Sequence, residues 1–139
     1  MEDTKTIQEE IKSGGYKVES VILIESSFAR LPSIDRNEHT VTNEININHE
    51  VFETSSDNKF GVILILDFIG KQGDNNFCTS KIKMLGIFEK IGEPPLNEES
   101  FKKVNAPAII YPFIREHLHN ICLKAGIVNV LLPTVNFKV

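Results

Sequence analysis

One stretch of the sequence, YPFIREHLHNICLKAG at positions 111–126, holds many of the side chains that commonly do chemistry. It contains two histidines, a cysteine, a glutamate and an arginine, which serve in other proteins as nucleophiles, acids, bases and metal ligands. The apolar residues around them recur at spacings of four, four and three, which predicts a helix with one apolar face. That face consists of Ile110, Ile114, Leu118 and Ile121.

The two histidines of this helix are badly placed to share a metal ion. Residues two apart on a helix point about 200° away from each other, so His117 and His119 face opposite flanks. His119 and Cys122 have the three-residue spacing of helical ligand pairs, but no further ligand cluster lies near them in the sequence. Solvated or hydrogen-bonded histidines are the favoured interpretation, and no metal site is predicted.

Other catalytic arrangements find equally little support. Cys122 and a histidine could form a nucleophilic pair, but small buried cysteines are common and mostly inert. Neither a Walker A sequence nor GxGxxG occurs, so no phosphate-binding loop is predicted. Glu25 and Glu116 belong to a strand and to the helix, and nothing in the sequence brings them together as an acid–base pair. We therefore predict a protein that is not an enzyme and uses no cofactor.

Length and composition predict a single domain covering residues 1–139. The net charge of −4 and the pI near 5.6 disfavour nucleic acid as a partner, because nucleic-acid binders usually carry a basic face. No apolar run reaches the roughly 18–20 residues of a membrane span, and the polar N-terminus does not look like a secretory signal. We expect a cytoplasmic protein without membrane insertion, in which Cys78 and Cys122 are free thiols.

The patterning predicts four strands. Apolar segments rich in β-branched residues lie at 16–31, 41–53, 59–70 and 77–92, and their short connections favour a mostly antiparallel sheet. The first strand is apolar on both sides in its middle, so we expect one face to be buried and the other partly covered. Gly86 in the fourth strand predicts a bulge or a close approach of the backbone.

Helices are predicted at the two ends of the sequence. Residues 6–15 predict a short N-terminal helix that ends at a Gly–Gly pair. The segment EPPLNEESFKKV is expected to be a polar connection, after which the long helix runs from residue 105 to residue 125. Pro112 should kink or restart this helix, and Gly126 is a natural residue to follow its end.

With catalytic sites disfavoured, apolar surface remains as a source of function. Phe28, Leu31 and Ile34 cluster where the first strand gives way to a loop, and Phe101, Phe137 and Val139 lie in flanking or terminal segments. These side chains belong either to the core or to an apolar groove or subunit interface. Such a groove would bind with little directional selectivity, because hydrophobic burial scales with area.

At this point the sequence resembles the SecB family of protein-export chaperones. The best match is NAPAIIYPFIREHLHNICLKAGIVNVLLPTVNF at 105–137, whose closing PTVNF is similar to the family's proline–x–Val–Asn–Phe signature. GIFEKIG is similar to the Gly–Ile–Phe segment that ends the family's fourth strand, and SFARLP is similar to the end of its first strand. KFGVILILDFIG matches the third strand in character. The resemblance covers nearly the whole sequence and is most specific in 105–137.

The resemblance implies an α+β fold, with a four-stranded antiparallel sheet packed on one side by a long C-terminal helix. It also implies dimers through the sheet edge and helix, which assemble into tetramers. The implied activity is that of an ATP-independent holdase, which keeps non-native or pre-secretory polypeptides in a loose state within hydrophobic grooves. On this basis we expect four residues to contact client chains: Phe28, Leu31, Ile34 and Phe137.

Two departures from the family pattern bear on the partners. The sequence ends two residues after Phe137, whereas family members commonly continue into a second helix and an acidic tail, so we expect a groove that is more open or completed by another subunit. Glu25 matches an acidic position through which family members bind SecA, which implies a partner-binding role. Ala29 or Arg30, and Lys81, stand where further acidic residues are expected, which puts docking of SecA on this face in question.

Two alternatives to a general holdase stay open. Some SecB-like proteins act as chaperones for an antitoxin in three-part toxin–antitoxin systems, so the chain could serve one dedicated partner. A pocket between helix and sheet that binds a small molecule or performs catalysis is the third hypothesis, and it would require a perturbed Glu or His beside an apolar cavity. In the SecB-like interpretation, Arg115 and Glu116 are structural or interface charges, and the two histidines have no chemical role.

Overall fold

The chain folds as one antiparallel sheet with its helical segment on one side, as predicted. The computed structural model describes residues 15–32, 42–93, 97–127, 130 and 132–137. The strands are β1 (Tyr16–Arg30), β2 (Thr42–Glu53), β3 (Lys59–Gln72) and β4 (Asn75–Lys90), in the spatial order β1-β4-β3-β2. The predicted N-terminal helix and Ile34 fall outside the described residues.

The two central strands bury one face because their side chains alternate. In β3 and β4 the even-numbered residues point towards the helix, and the odd-numbered residues point to the opposite face of the sheet, which we call the outer face. The inward set forms the centre of the core: Phe60, Val62, Leu64, Leu66, Phe68, Cys78, Ile82, Met84 and Phe88. β1 and β2 each pair with one neighbour within the described residues and therefore form the two edges of the sheet.

The long helix, α2 (Ala106–Lys124), lays its predicted apolar face on this core. Its buried residues include Ile110, Ile114, Leu118 and Cys122. The backbone of β4 approaches closely at Gly86, where an added Cβ would lie 2.8 Å from Cδ1 of Ile110. The close approach predicted for Gly86 is therefore confirmed, whereas the bulges of the β1–β4 pair lie in β1, between Val18 and Ser20 and between Leu23 and Glu25.

Pro112 does not interrupt α2, contrary to the expectation of a restart. The helix is continuous from Ala106 to Lys124. Pro112 is exposed, so its ring points to solvent, and the helical carbonyl that loses its donor belongs to Ala108, which is also exposed. Water can satisfy that carbonyl, which removes much of the cost. Gly126 follows the helix with φ of 73°, and its N–H donates to the Leu123 carbonyl at 3.1 Å, as predicted for a residue after the helix end.

The segment expected to be a polar connection instead begins the helical layer. A short helix, α1 (Glu98–Ser100), is capped by the Asn97 side chain and continues through a π-helical turn, Phe101–Asn105, into α2. Phe101 is buried and stacks on Tyr16, with ring centroids 3.9 Å apart, and meets Phe60 and Phe88 edge-on. Burial of the Phe101 ring explains why this otherwise polar segment packs against the sheet.

Candidate functional site

The histidines of α2 make separate contacts and do not form a catalytic arrangement. His117 Nε2 lies 2.8 Å from the Ser26 hydroxyl of β1, whereas His119 Nδ1 lies 3.3 Å from the Val130 carbonyl. The two histidines therefore face opposite flanks of the helix, as predicted. In the part of the chain that the structure describes, no group of three or more His, Cys, Asp or Glu side chains is arranged to hold a metal ion.

The two cysteines behave as core residues. Burial, with a smaller contribution from the neighbouring Cys78 thiol, raises the pKa of Cys122 to about 11. Burial also raises the pKa of Cys78. Both side chains are buried free thiols and stay protonated at neutral pH, so neither is available as a nucleophile.

Glu25 and Glu116 do not converge. Glu25 lies on the outer face, where its Oε1 is 4.0 Å from the Lys83 ammonium. Glu116 is exposed on α2, on the other side of the sheet, and accepts a hydrogen bond from the Asn120 amide. An acid–base pair of these two carboxylates is therefore ruled out.

The first apolar surface is the β1 flank, which we define as Ile22, Leu23 and Ile24 of β1 together with Phe113 of α2. The three β1 residues are 46%, 43% and 46% exposed, so in the single chain neither face of the strand is buried here, although one buried and one partly covered face were predicted. His117 contacts β1, and Phe113 lies one turn before it on the same side of α2. The Phe113 side chain is 49% exposed. A depression of about 320 Å³ lies against Pro112 and Phe113. The flank joins an open strand edge to exposed apolar side chains, which is typical of a surface that pairs with another chain.

The β1 flank passes into the end of the strand, where two predicted client contacts lie. Phe28 is half-buried against the core and Leu31 is 53% exposed. The Arg30 guanidinium lies 4.6 Å above the Phe77 ring and donates to the Ala125 carbonyl, which ties the end of β1 to the end of α2. Phe28 and Leu31 therefore both lie at the end of β1 that Arg30 attaches to the end of α2.

The second apolar surface is formed by the segment that follows α2. We call residue 130 and residues 132–137 the strap. Val130 and Leu132 are buried, and Val135 and Phe137 are half-buried against the core. The Tyr111 hydroxyl donates to the Pro133 carbonyl at 2.6 Å, and the Tyr111 and Phe137 rings meet at 5.9 Å. Burial raises the pKa of Tyr111, so its hydroxyl stays protonated as the donor.

The three described residues of the four predicted to contact client chains fall on two separate surfaces. Phe28 and Leu31 share the β1 side of α2, whereas Phe137 lies beside Tyr111 on the flank that His119 faces. Ile34 lies outside the described residues. Sequence reasoning missed Tyr111 and the exposed run Ile22–Ile24. The apolar residues of LLPTVNF were the signal for the strap, and three consecutive β1 residues that are all large and apolar were the signal for the edge.

The outer face around Glu25 carries both signs of charge. Ile22, Leu85 and Ile63 form an apolar row across three strands. Beyond that row the Glu25–Lys83 and Asp67–Lys81 pairs, each separated by 4.0 Å, alternate across the sheet. Lys81 and Lys83 sit at the centre of the face, so it is not an acidic surface.

Comparisons with known proteins agree with this geometry. The sequence profile of preprotein translocase subunit SecB matches residues 8–139. The chain is 22% identical over 125 residues to the protein-export protein SecB of Stenotrophomonas maltophilia, covering 88% of this chain and 72% of that one. It is 27% identical over 82 residues to the SecB of Halorhodospira halophila, covering 59% of this chain and 47% of that one.

A solved structure shows the same fold. The SecB-like chaperone of Mycobacterium tuberculosis, in complex with a ChAD peptide from an antitoxin, superposes with a TM-score of 0.73 at 14% identity, covering 89% of this chain and 93% of that one. None of the described helices is both long enough and apolar enough to span a membrane. With a profile match over nearly its whole length and the four-stranded sheet and helix in place, the chain belongs to the SecB family.

Proposed function

We propose that the chain is an ATP-independent holdase that binds non-native polypeptides in the cytoplasm and needs no cofactor. The observation that carries the proposal is the amount of apolar surface that the single chain leaves open on the β1 flank and at its end, in a protein of the SecB family. Burying such surface against an unfolded chain contributes about 25 cal/mol per Å², offset by the cost of ordering both partners. The relatives named protein-export protein SecB point to pre-secretory polypeptides as clients.

Client contact is assigned to Phe28 and Leu31 at the end of β1, to Ile34 beyond it, and to Phe137 on the strap. Self-association is assigned to the β1 flank. An edge strand with three exposed large apolar residues offers both unpaired backbone groups and area to a second copy. Phe113 extends the same surface onto α2, so a dimer formed here would use sheet edge and helix together.

The test is suppression of light scattering when a chemically unfolded protein is diluted into buffer, with the oligomer mass measured by size exclusion on the same sample. Wild type should suppress scattering at near-stoichiometric amounts as an oligomer of two or four chains. Replacing Phe28 and Leu31 by Ser should abolish protection with the circular dichroism spectrum unchanged. Leu123→Ser is the matched control, because Leu123 is 53% exposed, as Leu31 is, but lies near the end of α2.

Protection by the Phe28→Ser, Leu31→Ser double variant equal to that of wild type would show that this corner is not the client site. If folded wild-type oligomer gives no protection, the general holdase is wrong.

The second candidate function is a chaperone dedicated to one partner, such as an antitoxin. Two observations favour it: the fold matches a SecB-like chaperone bound to an antitoxin peptide, and lysines occupy the centre of the face around Glu25. Pull-down from cells separates the two, because a holdase recovers many chains and a dedicated chaperone recovers one. If Glu25 instead docks SecA, Glu25→Lys should abolish SecA binding while leaving scattering suppression intact.

A further inference from the structure

The strap runs back along α2 from the end of the helix towards its beginning. Val130 lies beside His119 and Pro133 lies beside Tyr111, so later strap residues meet earlier helix residues. The two helix residues are eight positions apart, or about 12 Å along the axis of α2, so the strap runs antiparallel to the helix. Its apolar side chains Val130, Leu132, Val135 and Phe137 pack against the core beside the helix.

The strap is weakly attached for a segment that covers core. Within the described residues, none of the backbone–backbone hydrogen bonds outside helices and strands involves residue 130 or residues 132–137. Its polar contacts with other described residues are two side-chain bonds to carbonyls, from Tyr111 to Pro133 and from His119 to Val130. Attachment weakens along the strap, since Val130 and Leu132 are buried while Val135 and Phe137 are half-buried. Segments with few backbone bonds and partial burial open at low free-energy cost.

The strap shows what kind of polypeptide segment the surface beside α2, its seat, can bind. The surface beside α2 holds an irregular, largely apolar segment with one aromatic ring against Tyr111. Those are the properties of a segment of unfolded polypeptide. We propose that the strap is a built-in placeholder: residues 134–137 fill a client-binding seat beside Tyr111 in the resting protein, and a client segment displaces them. This inference rests on the proposed function of client binding, and it replaces the direct client contact assigned to Phe137 by a regulatory role.

A placeholder has a consequence opposite to that of a simple client contact. When the competent state is a fraction of the population, the apparent Kd is the intrinsic Kd divided by that fraction. Weakening the strap therefore tightens client binding. Phe137→Ser should lower the Kd by roughly 3- to 10-fold, and Tyr111→Phe, which removes one hydroxyl and keeps the ring, should lower it by a smaller factor. Phe52→Ser is the matched control, because Phe52 packs its ring over Gly61 on the outer face.

Two probes keep the inference separable from the proposed function. The first is a fluorescent synthetic peptide of the strap's own sequence, VLLPTVNF (residues 130–137), with Kd measured by anisotropy. The second is a labelled, permanently unfolded protein. Tighter peptide binding to the Phe137→Ser variant than to wild type and Phe52→Ser supports the placeholder. Peptide binding that is weaker, equal or undetectable in Phe137→Ser overturns it.

The unfolded protein reports on the holdase itself. If wild type fails to bind that probe, the proposed function is wrong whatever the peptide does. If wild type binds it and Phe137→Ser binds it more weakly, Phe137 is a direct client contact and the placeholder is wrong. Thermal unfolding of each variant confirms that the strap, and not the domain, has been loosened.

Discussion

Lys102 offers the sharpest test of what holds the helical layer on the sheet. Its side chain is only 6% exposed, its ammonium lies 3.2 Å from Glu53 and 3.3 Å from Glu98, and it sits 4.9 Å from the Phe60 ring centroid. Burial disfavours the charge, but hydrogen bonds to Glu53 and Glu98 outweigh it and raise the pKa of Lys102. The residue therefore carries its charge at neutral pH.

The free energy of unfolding lost when Lys102 is replaced depends on how much its ion pairs contribute beyond the packing of its side chain. Breaking a fully buried pair costs about 3–5 kcal/mol because a charge is stranded. Here the Glu53 side chain is 72% exposed and Glu98 38%, so both carboxylates regain water and that figure is an upper limit. The stem packing and the cation–π contact are lost in Lys102→Ala, which we expect to cost about 2–3 kcal/mol. Lys102→Met keeps the stem and removes the desolvation penalty, so it should stay within about 1 kcal/mol of wild type.

The assay is urea unfolding of wild type, Lys102→Ala and Lys102→Met at pH 7 in low and high salt. Lys103→Ala is the adjacent exposed control and should change the unfolding free energy by less than about 0.5 kcal/mol. A Met variant as unstable as the Ala variant would refute the reasoning, because charge and not packing would then hold the layer. The pKa shift adds stability below the ordinary Lys pKa of 10.5, and that contribution is lost as pH rises through the folded pKa.

Further predictions concern the core and its thiol. Gly86→Ala places a Cβ 2.7 Å from the Phe88 ring and 2.8 Å from Ile110. Urea unfolding should therefore show a free energy of unfolding lower by about 1–3 kcal/mol. Gly73→Ala is the control, because Gly73 has open space around it but a positive φ, so its substitution reports backbone strain alone. Equal losses at the two glycines would argue against a packing cause. The pKa of Cys122 is raised from 9.0 to about 11, so the unfolded thiol ionises first and stability should fall by about 2–3 kcal/mol between pH 9 and pH 11. Cys122→Ala should remove that part of the alkaline loss, and an unchanged pH profile would contradict it.

Element type and order could be predicted from the sequence because they depend on local patterning. The apolar run of β3 is a central strand, as its length and composition predicted, and the three-to-four spacing of α2 matches its buried face. The restart expected at Pro112 was wrong because the cost of a proline depends on which side of the helix faces water, and that is set by packing. The helical start at 98–105 was missed because a single aromatic residue, Phe101, finds partners in strands far away in sequence.

The candidate site was predictable only in part. The end of β1 was identified because apolar residues clustered beside a proline, which is a local signal. The separation of Phe28 from Phe137 could not be foreseen, since it depends on which flank of α2 the following segment takes. Along that path Tyr111 and His119 contact strap carbonyls and the apolar strap residues pack on the core, and neither polar side chain signals this in the sequence.

The two bulges of β1 have a consequence for comparing this chain with its relatives. β1 has fifteen residues and runs from Tyr16 opposite Lys90 to Arg30 opposite Cys78. Glu19 and Ile24 are the extra residues of its two bulges. Each surplus residue inverts the inward–outward alternation, and the second inversion cancels the first. The inward-facing residues of β1 are therefore even-numbered outside the bulges, as at Tyr16 and Phe28, and odd-numbered between them, as at Val21 and Leu23. An ungapped alignment of this strand to an unbulged relative would exchange inward and outward side chains, so homologous groove positions must be matched with a one-residue gap at each bulge.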